Sequence, residues 1–249
     1  MNAEWIAVPA IITAAASLAA YGAVCPRTQL FGPTVRHTSS PRELAITFDD
    51  GPNPAMTPKF LDLLQRYEAR ATFFLIGRYV RECPDLAREI SVRGHAIGCH
   101  TETHANLLLA SRRRTHYEIS RGSESIAAVT GVLPKLFRPP WGFRNPWIAA
   151  VARELHLRVV MWTLLPNDWR APSAPWLIDR MQPIATRAAV NGQNATGTGD
   201  VLCLHDGYHA RQNGDRSRTL AALEHWLPRW RDLGLKFATI EGAVPTPAR

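Results

Sequence analysis

The stretch Thr47-Phe48-Asp49-Asp50-Gly51-Pro52-Asn53 decides how this chain is interpreted. It follows Leu44-Ala45-Ile46, an apolar run that favours a strand, and its Gly-Pro pair stops a strand and forces a turn. A strand of a parallel sheet is usually apolar throughout, so two acids at its end need an explanation. Adjacent carboxylates raise each other's pKa unless a cation or hydrogen bonds compensate. A metal ion on one of them is the simplest compensation, although Asp50-Gly51-Pro52-Asn53 alone would also fit an ordinary turn.

Four later apolar stretches are also followed by polar and aromatic motifs. These are His100-Thr101-Glu102-Thr103-His104, Arg138-Pro139-Pro140-Trp141-Gly142, Asn167-Asp168-Trp169 and Cys203-Leu204-His205-Asp206. Ligands bind where the carboxyl ends of parallel strands meet, so the motifs indicate one shared site. Thr101 and Thr103 are poor helix formers, which favours a loop between the two histidines.

This ordered set of motifs resembles the polysaccharide deacetylase family, the NodB-homology domain of carbohydrate esterase family 4. The family pattern is T-F-D-D-G, H-[ST]-x-x-H, R-x-P-[YFW], a D-W motif and L-x-H. Its counterparts here are residues 47–51, 100–104, 138–141, 168–169 and 203–205. Cys203 stands where the family has Leu, and the acid that often lies three residues before Asp168 is Leu165 here. The resemblance covers roughly residues 42–241 and implies an α/β fold, a distorted (β/α) barrel of about seven parallel strands.

One carboxylate and two imidazoles form a suitable ligand set for a divalent metal, with positions left open for water and substrate. Asp50, His100 and His104 are the predicted ligands, and zinc is the predicted metal, with cobalt, nickel or manganese as alternatives. The resemblance implies that Asp49 is the base that activates the attacking water. It also implies that His205 is the acid that protonates the leaving amine.

The resemblance implies supporting roles for the remaining motif residues. Arg138 would compensate the charge of the base, and Asp168 would either hold Arg138 in place or tune the catalytic acid. Trp141 and Trp169 would wall a groove in which sugar rings stack, and the backbone amide of Trp141 would help to bind the oxyanion. Cys203 would line a small pocket for the acetyl methyl group.

The implied function is a metal-dependent hydrolase that removes N-acetyl groups from an amino-sugar poly- or oligosaccharide. Chitin oligomers, peptidoglycan and related glycans all fit, and the sequence leaves the choice open. A catalytically inactive carbohydrate-binding domain on a membrane anchor is the alternative, which the retained acids, histidines and arginine argue against. A phosphatase of the D-x-D-G type fits less well, because its acids alternate and its chemistry has no use for the histidine pair.

The composition sets limits on size, partners and redox state. The 249 residues, 46% hydrophobic and 20% charged, suffice for one α/β domain with a large core. The net charge of +8 favours acidic partners. No basic stretch is interleaved with aromatic residues, so no nucleic-acid partner is predicted, and the oligomeric state is left open. The four cysteines show no C-x-x-C spacing and are predicted to be free thiols, with a Cys99–Cys203 bridge left open.

Residues 5–24 are uncharged, mostly aliphatic and about long enough to span a bilayer. We favour a membrane anchor over a cleaved signal or a packed helix, and we expect a membrane-associated or cell-envelope location. The basic residues after the run, such as Arg27 and Arg36, would place the domain in the cytoplasm, whereas an envelope glycan requires the opposite side. The side of the membrane therefore stays open.

The chain divides into a segment at 1–24, a linker at 25–42, a deacetylase domain at 43–241 and a tail at 242–249. Within the domain, strand and helix patterns alternate about seven times, which favours a parallel sheet. The predicted strands are 44–49, 71–76, 96–99, 136–138, 158–164, 201–204 and 236–240. The predicted helices are 57–68, 80–92, 112–129, 146–155, 175–189 with an interruption near Pro183, and 219–233.

Overall fold

The computed structural model describes the backbone of residues 4–191 and 196–243 and the side chains of residues 12–190 and 196–241. Its strands are β1 (His37–Thr38), β2 (Glu43–Gly51), β3 (Ala71–Leu75), β4 (Ala96–Cys99), β5 (Leu136–Phe137), β6 (Arg158–Val159), β7 (Gly199–His205) and β8 (Lys236–Phe237). Its helices are α1 (Glu4–Val24), α2 (Thr57–Arg66), α3 (Gly77–Glu82), α4 (Pro84–Val92), α5 (Arg112–Thr130), α6 (Ile148–Glu154), α7 (Ala174–Asn191), α8 (Ser217–Asp232) and α9 (Ile240–Ala243).

The strands form one curled, mostly parallel sheet, as the sequence predicts. Their order is β1-β7-β2-β3-β4-β5-β6, and β8 also pairs with β2. Every strand pairing described is parallel except β1 with β7. The isolated bridges Val35–Val160 and Leu164–Leu202 tie the chain around β6 to the opposite edge, which curls the sheet towards a barrel.

Strand β2 is an inner strand between β7 and β3 and is buried along almost its whole length. Phe48 on this strand stacks on Phe73 of β3, with ring centroids 4.9 Å apart, and lies 4.9 Å from the ring of Phe60 on α2. Such aromatic pairs stabilise a core beyond the area that they bury. The strand that ends in the two acids is therefore anchored in the core through Phe48.

The structure corrects several predicted elements. The predicted helix 80–92 is two helices, because the chain breaks at Cys83 (φ −130°, ψ 60°) and Pro84 starts α4. The predicted interruption near Pro183 is wrong, since α7 runs through it with Met181 and Ile184 anchored in the core. Strands 158–164 and 236–240 are shorter than predicted, and α9 begins at Ile240. The connection between the predicted helix 175–189 and the predicted strand 201–204 lies partly outside the described residues.

The predicted linker 25–42 is part of the folded domain, since it contributes β1 to the sheet. Buried Arg144 also donates hydrogen bonds from its guanidinium to the backbone carbonyls of Gly22, Cys25 and Thr28. Its backbone amide donates to the carbonyl of Ala23 at 2.9 Å. A cation at a helix C-terminus satisfies the free carbonyls and complements the helix dipole. The end of α1 is thus fixed to the domain.

No helix in the part of the chain whose side chains are described is long and apolar enough to cross a membrane. The segment predicted as an anchor, 5–24, lies partly outside that part, and the predicted tail at 242–249 lies outside it. Membrane association and location stay predictions. All four cysteines are free, and Cys99 and Cys203 are buried, so the bridge left open between them is not formed.

Removing residues 1–30 should destabilise the domain, because Arg144 would keep its buried charge and lose its carbonyl acceptors. We expect a loss of about 1–3 kcal/mol in the free energy of unfolding, measured by urea denaturation. Removing only residues 1–15 keeps the acceptors and serves as the matched control. Adding Arg144→Met to the protein that lacks residues 1–30 should restore part of the lost stability. Equal stability of the two truncated proteins would contradict the prediction.

Candidate active site

The predicted motifs meet at the carboxyl ends of neighbouring strands. Asp49 and Asp50 lie near the end of β2, β4 leads to His100, and β7 ends at His205. The register between β2 and β3 shifts just after Asp49, and Asp50 has a left-handed backbone with φ 73°. An irregularity of this kind re-aims a side chain. The two neighbouring carboxylates therefore face different partners.

Asp50, His100 and His104 are all buried and bring one potential ligand atom each to within 4.8 Å of one another. The Asp50 Oδ1 atom lies 3.5 Å from His100 Nε2 and 3.1 Å from His104 Nε2, yet it accepts no hydrogen bond. His100 Nδ1 lies 2.7 Å from the carbonyl oxygen of Arg138, which fixes the ring and leaves Nε2 for a metal. An orphaned carboxylate oxygen beside two imidazole nitrogens fits a divalent metal.

The protonation states of this triad suit metal binding. Burial by itself raises the pKa of Asp50, but the surrounding histidine rings outweigh it and hold that pKa well below its usual range. Burial lowers the pKa of His104 to about 4, so its ring is neutral at neutral pH. The site therefore offers an ionised carboxylate together with a neutral imidazole at His104.

The two ligand histidines are joined by a loop, as predicted, in which His104 has a left-handed backbone with φ 57°. Fully buried Glu118 on α5 holds this loop by accepting hydrogen bonds from the amide and the hydroxyl of Thr103 at 3.0 and 2.9 Å. Glu102 turns away from the ligands and forms a salt bridge with Arg81. The intervening acid therefore belongs to the support of the loop rather than to the metal site.

Arg138 is fully buried beneath the first acid of the pair. Its Nη1 atom lies 2.7 Å from Asp49 Oδ1 and 2.7 Å from the hydroxyl of Thr47, and its guanidinium lies over the ring of Phe74 at 4.1 Å. This matches the predicted compensation of the charge on Asp49. Among the described hydrogen bonds and ion pairs, none joins Arg138 to Asp168, so that predicted contact is wrong.

Asp168 instead holds His205, the second of its two predicted roles. Its Oδ1 atom lies 2.7 Å from His205 Nδ1, while Oδ2 accepts from the His205 amide at 2.9 Å and from the hydroxyl of Thr219 at 3.0 Å. Burial lowers the pKa of His205, but Asp168 outweighs it and raises that pKa to about 9. His205 is therefore protonated and fixed in orientation at neutral pH.

These groups line one pocket of about 310 Å³ with aromatic walls. Trp141 is 45% exposed and meets the ring of His104 edge-on at 4.3 Å, and Trp169 is 41% exposed and meets the ring of His205 at 4.9 Å. Trp141 has φ 54°, a left-handed backbone that non-glycine residues rarely adopt. Cys203 lies in the floor of the pocket, where burial raises the pKa of its thiol well above the usual value.

His209 belongs to the site but was not predicted from the sequence. Its backbone amide donates to Asp50 Oδ2 at 3.2 Å, and its ring stacks on that of His104 with centroids 4.4 Å apart and planes 16° apart. The hydroxyl of Tyr79 on α3 donates to the His209 carbonyl at 2.9 Å. His209 thus touches two of the three candidate ligands and is itself held by α3.

Tyr208 and Arg216 also line the pocket and were not predicted. They lie with His209 in the segment between β7 and α8, which carries no periodic pattern. The sequence signal that could have drawn attention to this segment is Gly207. In the structure, a Cβ added at this position would lie 2.0 Å from the carbonyl oxygen of Asp50, so only glycine fits there. That glycine follows His205-Asp206 directly, so the close approach brings the next residues over the site.

Comparisons with known proteins agree with this geometry. A model of the polysaccharide deacetylase family matches residues 36–160. The chain is 36% identical over 199 residues to a peptidoglycan-N-acetylglucosamine deacetylase of Bacillus cereus, covering 79% of this chain and 85% of that protein. It is 34% identical over 206 residues to a chitooligosaccharide deacetylase of Azorhizobium caulinodans, covering 80% of this chain and 93% of that protein.

Solved structures give the same result. A peptidoglycan N-acetylglucosamine deacetylase superposes with a TM-score of 0.74 at 27% identity, over 86% of this chain and 94% of that one. A family 4 carbohydrate esterase from Streptomyces lividans gives 0.69 at 28% identity, over 84% and 100% of the two chains. The motifs, the fold and the buried Asp-His-His triad therefore agree, and the chain belongs to the polysaccharide deacetylase family of hydrolases.

Proposed function

We propose that this protein removes N-acetyl groups from the amino sugars of a poly- or oligosaccharide, either chitooligosaccharides or peptidoglycan. The observation that carries the proposal is the meeting of three units in one pocket, namely the metal triad, the Asp49–Arg138 pair and the His205–Asp168 pair. The relatives described above act, by their names, on these two glycans. Both carry N-acetylglucosamine, so its acetamide is the common reacting group.

The ligand set supports zinc, with cobalt, nickel or manganese as alternatives. The carboxylate of Asp50 and the imidazoles of His100 and His104 would hold the ion. When bound, it would supply a Lewis acid that makes water more acidic and polarises the acyl oxygen. Metal analysis of the purified protein tests this assignment.

Asp49 is the proposed general base. Its Oδ1 atom is engaged by Arg138, while Oδ2 lies 3.9 Å from His100 Nε2 and 3.5 Å from the sulfur of Cys203. Arg138 stabilises the ionised carboxylate, and Oδ2 is the atom available to take a proton from the attacking water. A neighbouring cation is a common means of keeping a base charged in a buried site.

His205 is the proposed general acid, which gives its proton to the leaving amine. Asp168 keeps the ring charged and oriented, as an acid paired with a catalytic histidine does. The backbone amide of Trp141 would help to bind the oxyanion, and Trp141 and Trp169 would stack on sugar rings. The neutral thiol of Cys203 would line the space for the acetyl methyl group.

The proposed activity is tested by an acetate-release screen with chitooligosaccharides and peptidoglycan, after chelation and after metal is added back. Release that depends on the added metal supports the proposal. Binding of these glycans without any release would support the alternative, a catalytically inactive carbohydrate-binding domain. No structural observation favours that alternative.

The same assay separates the two acids. Asp50→Asn should bind metal weakly because a charged ligand is lost. Asp49→Asn should bind metal normally yet turn over about 10²–10⁴-fold more slowly, as for a missing general base. Elemental analysis beside acetate release measures both effects. An Asp49→Asn protein that is empty of metal, with a metal-loaded Asp50→Asn protein, would reverse the assignment.

The His205–Asp168 pair should set the alkaline limit of activity. With its pKa raised to about 9, His205 stays protonated at neutral pH, and activity should fall as the pH rises through about 9. Asp168→Asn removes the charge that raises this pKa while burial still lowers it, so the alkaline limb should move to lower pH. The kcat profile against pH measures the shift, and exposed Asp85→Asn on α4 is the control.

The same pair should contribute stability over a defined pH range. Because the folded pKa lies above the unfolded value of about 6.5, the stabilisation is fully present below that value and is lost as the pH rises through about 9. Asp168→Asn should therefore lower the free energy of unfolding more at pH 6 than at pH 10. A uniform loss at both pH values would show that the pair acts only through packing.

His209 should help to position the metal ligands through its ring. His209→Ala removes the ring that stacks on His104, and we expect metal affinity to fall about 10- to 100-fold, as for other groups that orient ligands. His209→Phe keeps a stacking ring without its nitrogens and should retain most of the affinity. Competition with a chelator measures both, and equal weakening by Ala and Phe would mean that a ring nitrogen matters instead.

A further inference from the structure

Arg216 lines the pocket but has no acidic partner. The residue is only 9% exposed, its Nε donates to the carbonyl of Gly207 at 2.8 Å, and its Nη2 is buried and donates to no acceptor. None of the ion pairs among the described residues includes it. A buried charge without a partner is unfavourable, and in a pocket the missing partner can come from a ligand.

Two other buried arginines among the described residues find more acceptors in the protein, although the Nε of Arg144 also has no hydrogen-bond partner. Arg138 forms an ion pair with Asp49, and Arg144 reaches three backbone carbonyls at the end of α1. Arg216 has one carbonyl and the ring of Tyr208, which its guanidinium carbon approaches only to 5.7 Å. Its hydrogen-bonding capacity and its charge are therefore largely unused by the fold.

Two more arginines, for which the described residues show no ion pair, lie next to Tyr208 and His209 of the pocket wall. Arg211 lies 5.9 Å from the ring of Tyr208 on the same segment, and Arg78 on α3 donates to the carbonyl of His209. The acid next to Arg216 in the chain, Asp215, accepts instead from the amide and the hydroxyl of Ser217. The rim formed by Arg78, Arg211 and Arg216 is thus positively charged.

We infer that Arg216 and this rim form a subsite for a carboxylate on the substrate, so the preferred glycan is an acidic one. The inference rests on the proposed deacetylase function and narrows its substrate class. A guanidinium binds a carboxylate with paired, charge-assisted hydrogen bonds, which matches the unused donors of Arg216. The net charge of +8 would also attract a polyanionic chain. Peptidoglycan carries such carboxylates on its stem peptides and on muramic acid residues that lack a peptide, whereas chitin oligomers are neutral.

The test compares one oligosaccharide with and without the charge of its carboxylates, beside a neutral reference glycan. Oligosaccharides of alternating N-acetylglucosamine and N-acetylmuramic acid are used with free lactyl carboxylates and as their methyl esters, beside a neutral chitin tetramer. For the unaltered protein, kcat/KM for the free acid should exceed that for the ester on the order of 10- to 100-fold, as for a hydrogen-bonded charge. The ratio should fall as salt is raised, because salt screens exposed charges of the rim.

Arg216→Gln keeps a donor for the Gly207 carbonyl but removes the charge, and it should bring the acid-to-ester ratio close to one. Arg216→Lys, which keeps the charge, should retain part of the preference. Arg229→Gln on the exposed face of α8 changes the net charge equally and should leave the ratio unchanged.

The outcomes separate this inference from the proposed function. Equal kcat/KM for acid and ester in the unaltered protein would overturn the inference, as would an Arg216→Gln protein that slows on all glycans alike. In both cases acetate release would still uphold the deacetylase. Failure of every glycan to release acetate would instead overturn the proposed function. If Arg216→Gln does not fold, the acid-to-ester ratio of the unaltered protein and the salt dependence of that ratio still test the inference.

Discussion

Two carboxylates at the end of one buried strand must stay ionised side by side, and the site is built around that requirement. Arg138 meets it for Asp49 with an ion pair of 2.7 Å. The same residue accepts a contact of 2.7 Å from His100 Nδ1 at its carbonyl oxygen, which orients a candidate metal ligand. One buried arginine therefore couples the proposed base to the metal triad. A change at this position would disturb both at once, so the two functions share one structural support.

The protein uses histidine for two opposite purposes within the same pocket. Burial lowers the pKa of His104 to about 4, which keeps its ring neutral and able to bind a metal. Asp168 outweighs burial at His205 and raises that pKa to about 9, which keeps the ring charged. Environments that push the pKa values of like groups apart are how a site assigns ligand and acid roles. The difference arises because Asp168 outweighs burial at His205, whereas burial prevails at His104 although Asp50 also favours its charged ring.

The sequence was sufficient for the parts of this site that are local in the chain. The strand before Asp49 and the spacing of His100 and His104 predict the triad, because each motif sits directly at a strand end. The partner of Asp168 could not be chosen from sequence, since Arg138 follows β5 and His205 ends β7, and only the spatial arrangement decides which one Asp168 reaches. His209 lies in a loop, where no periodic pattern marks a buried or functional position. The helix through Pro183 shows the same limit, because packing of its neighbours outweighs local propensity.

Cys203 is a departure from the family pattern that lines the pocket, and its chemistry follows from its neighbours. Its sulfur lies 3.5 Å from both Arg138 Nη1 and Asp49 Oδ2, so the thiol touches the ion pair that a leucine could contact only through methyl groups. A thiol this close to a metal site could compete as a ligand if it ionised. Burial and the nearby charge of Asp49 raise its pKa well above the usual value, so it stays neutral. The substitution therefore adds a weak hydrogen-bonding group beside the proposed base without adding a fourth metal ligand.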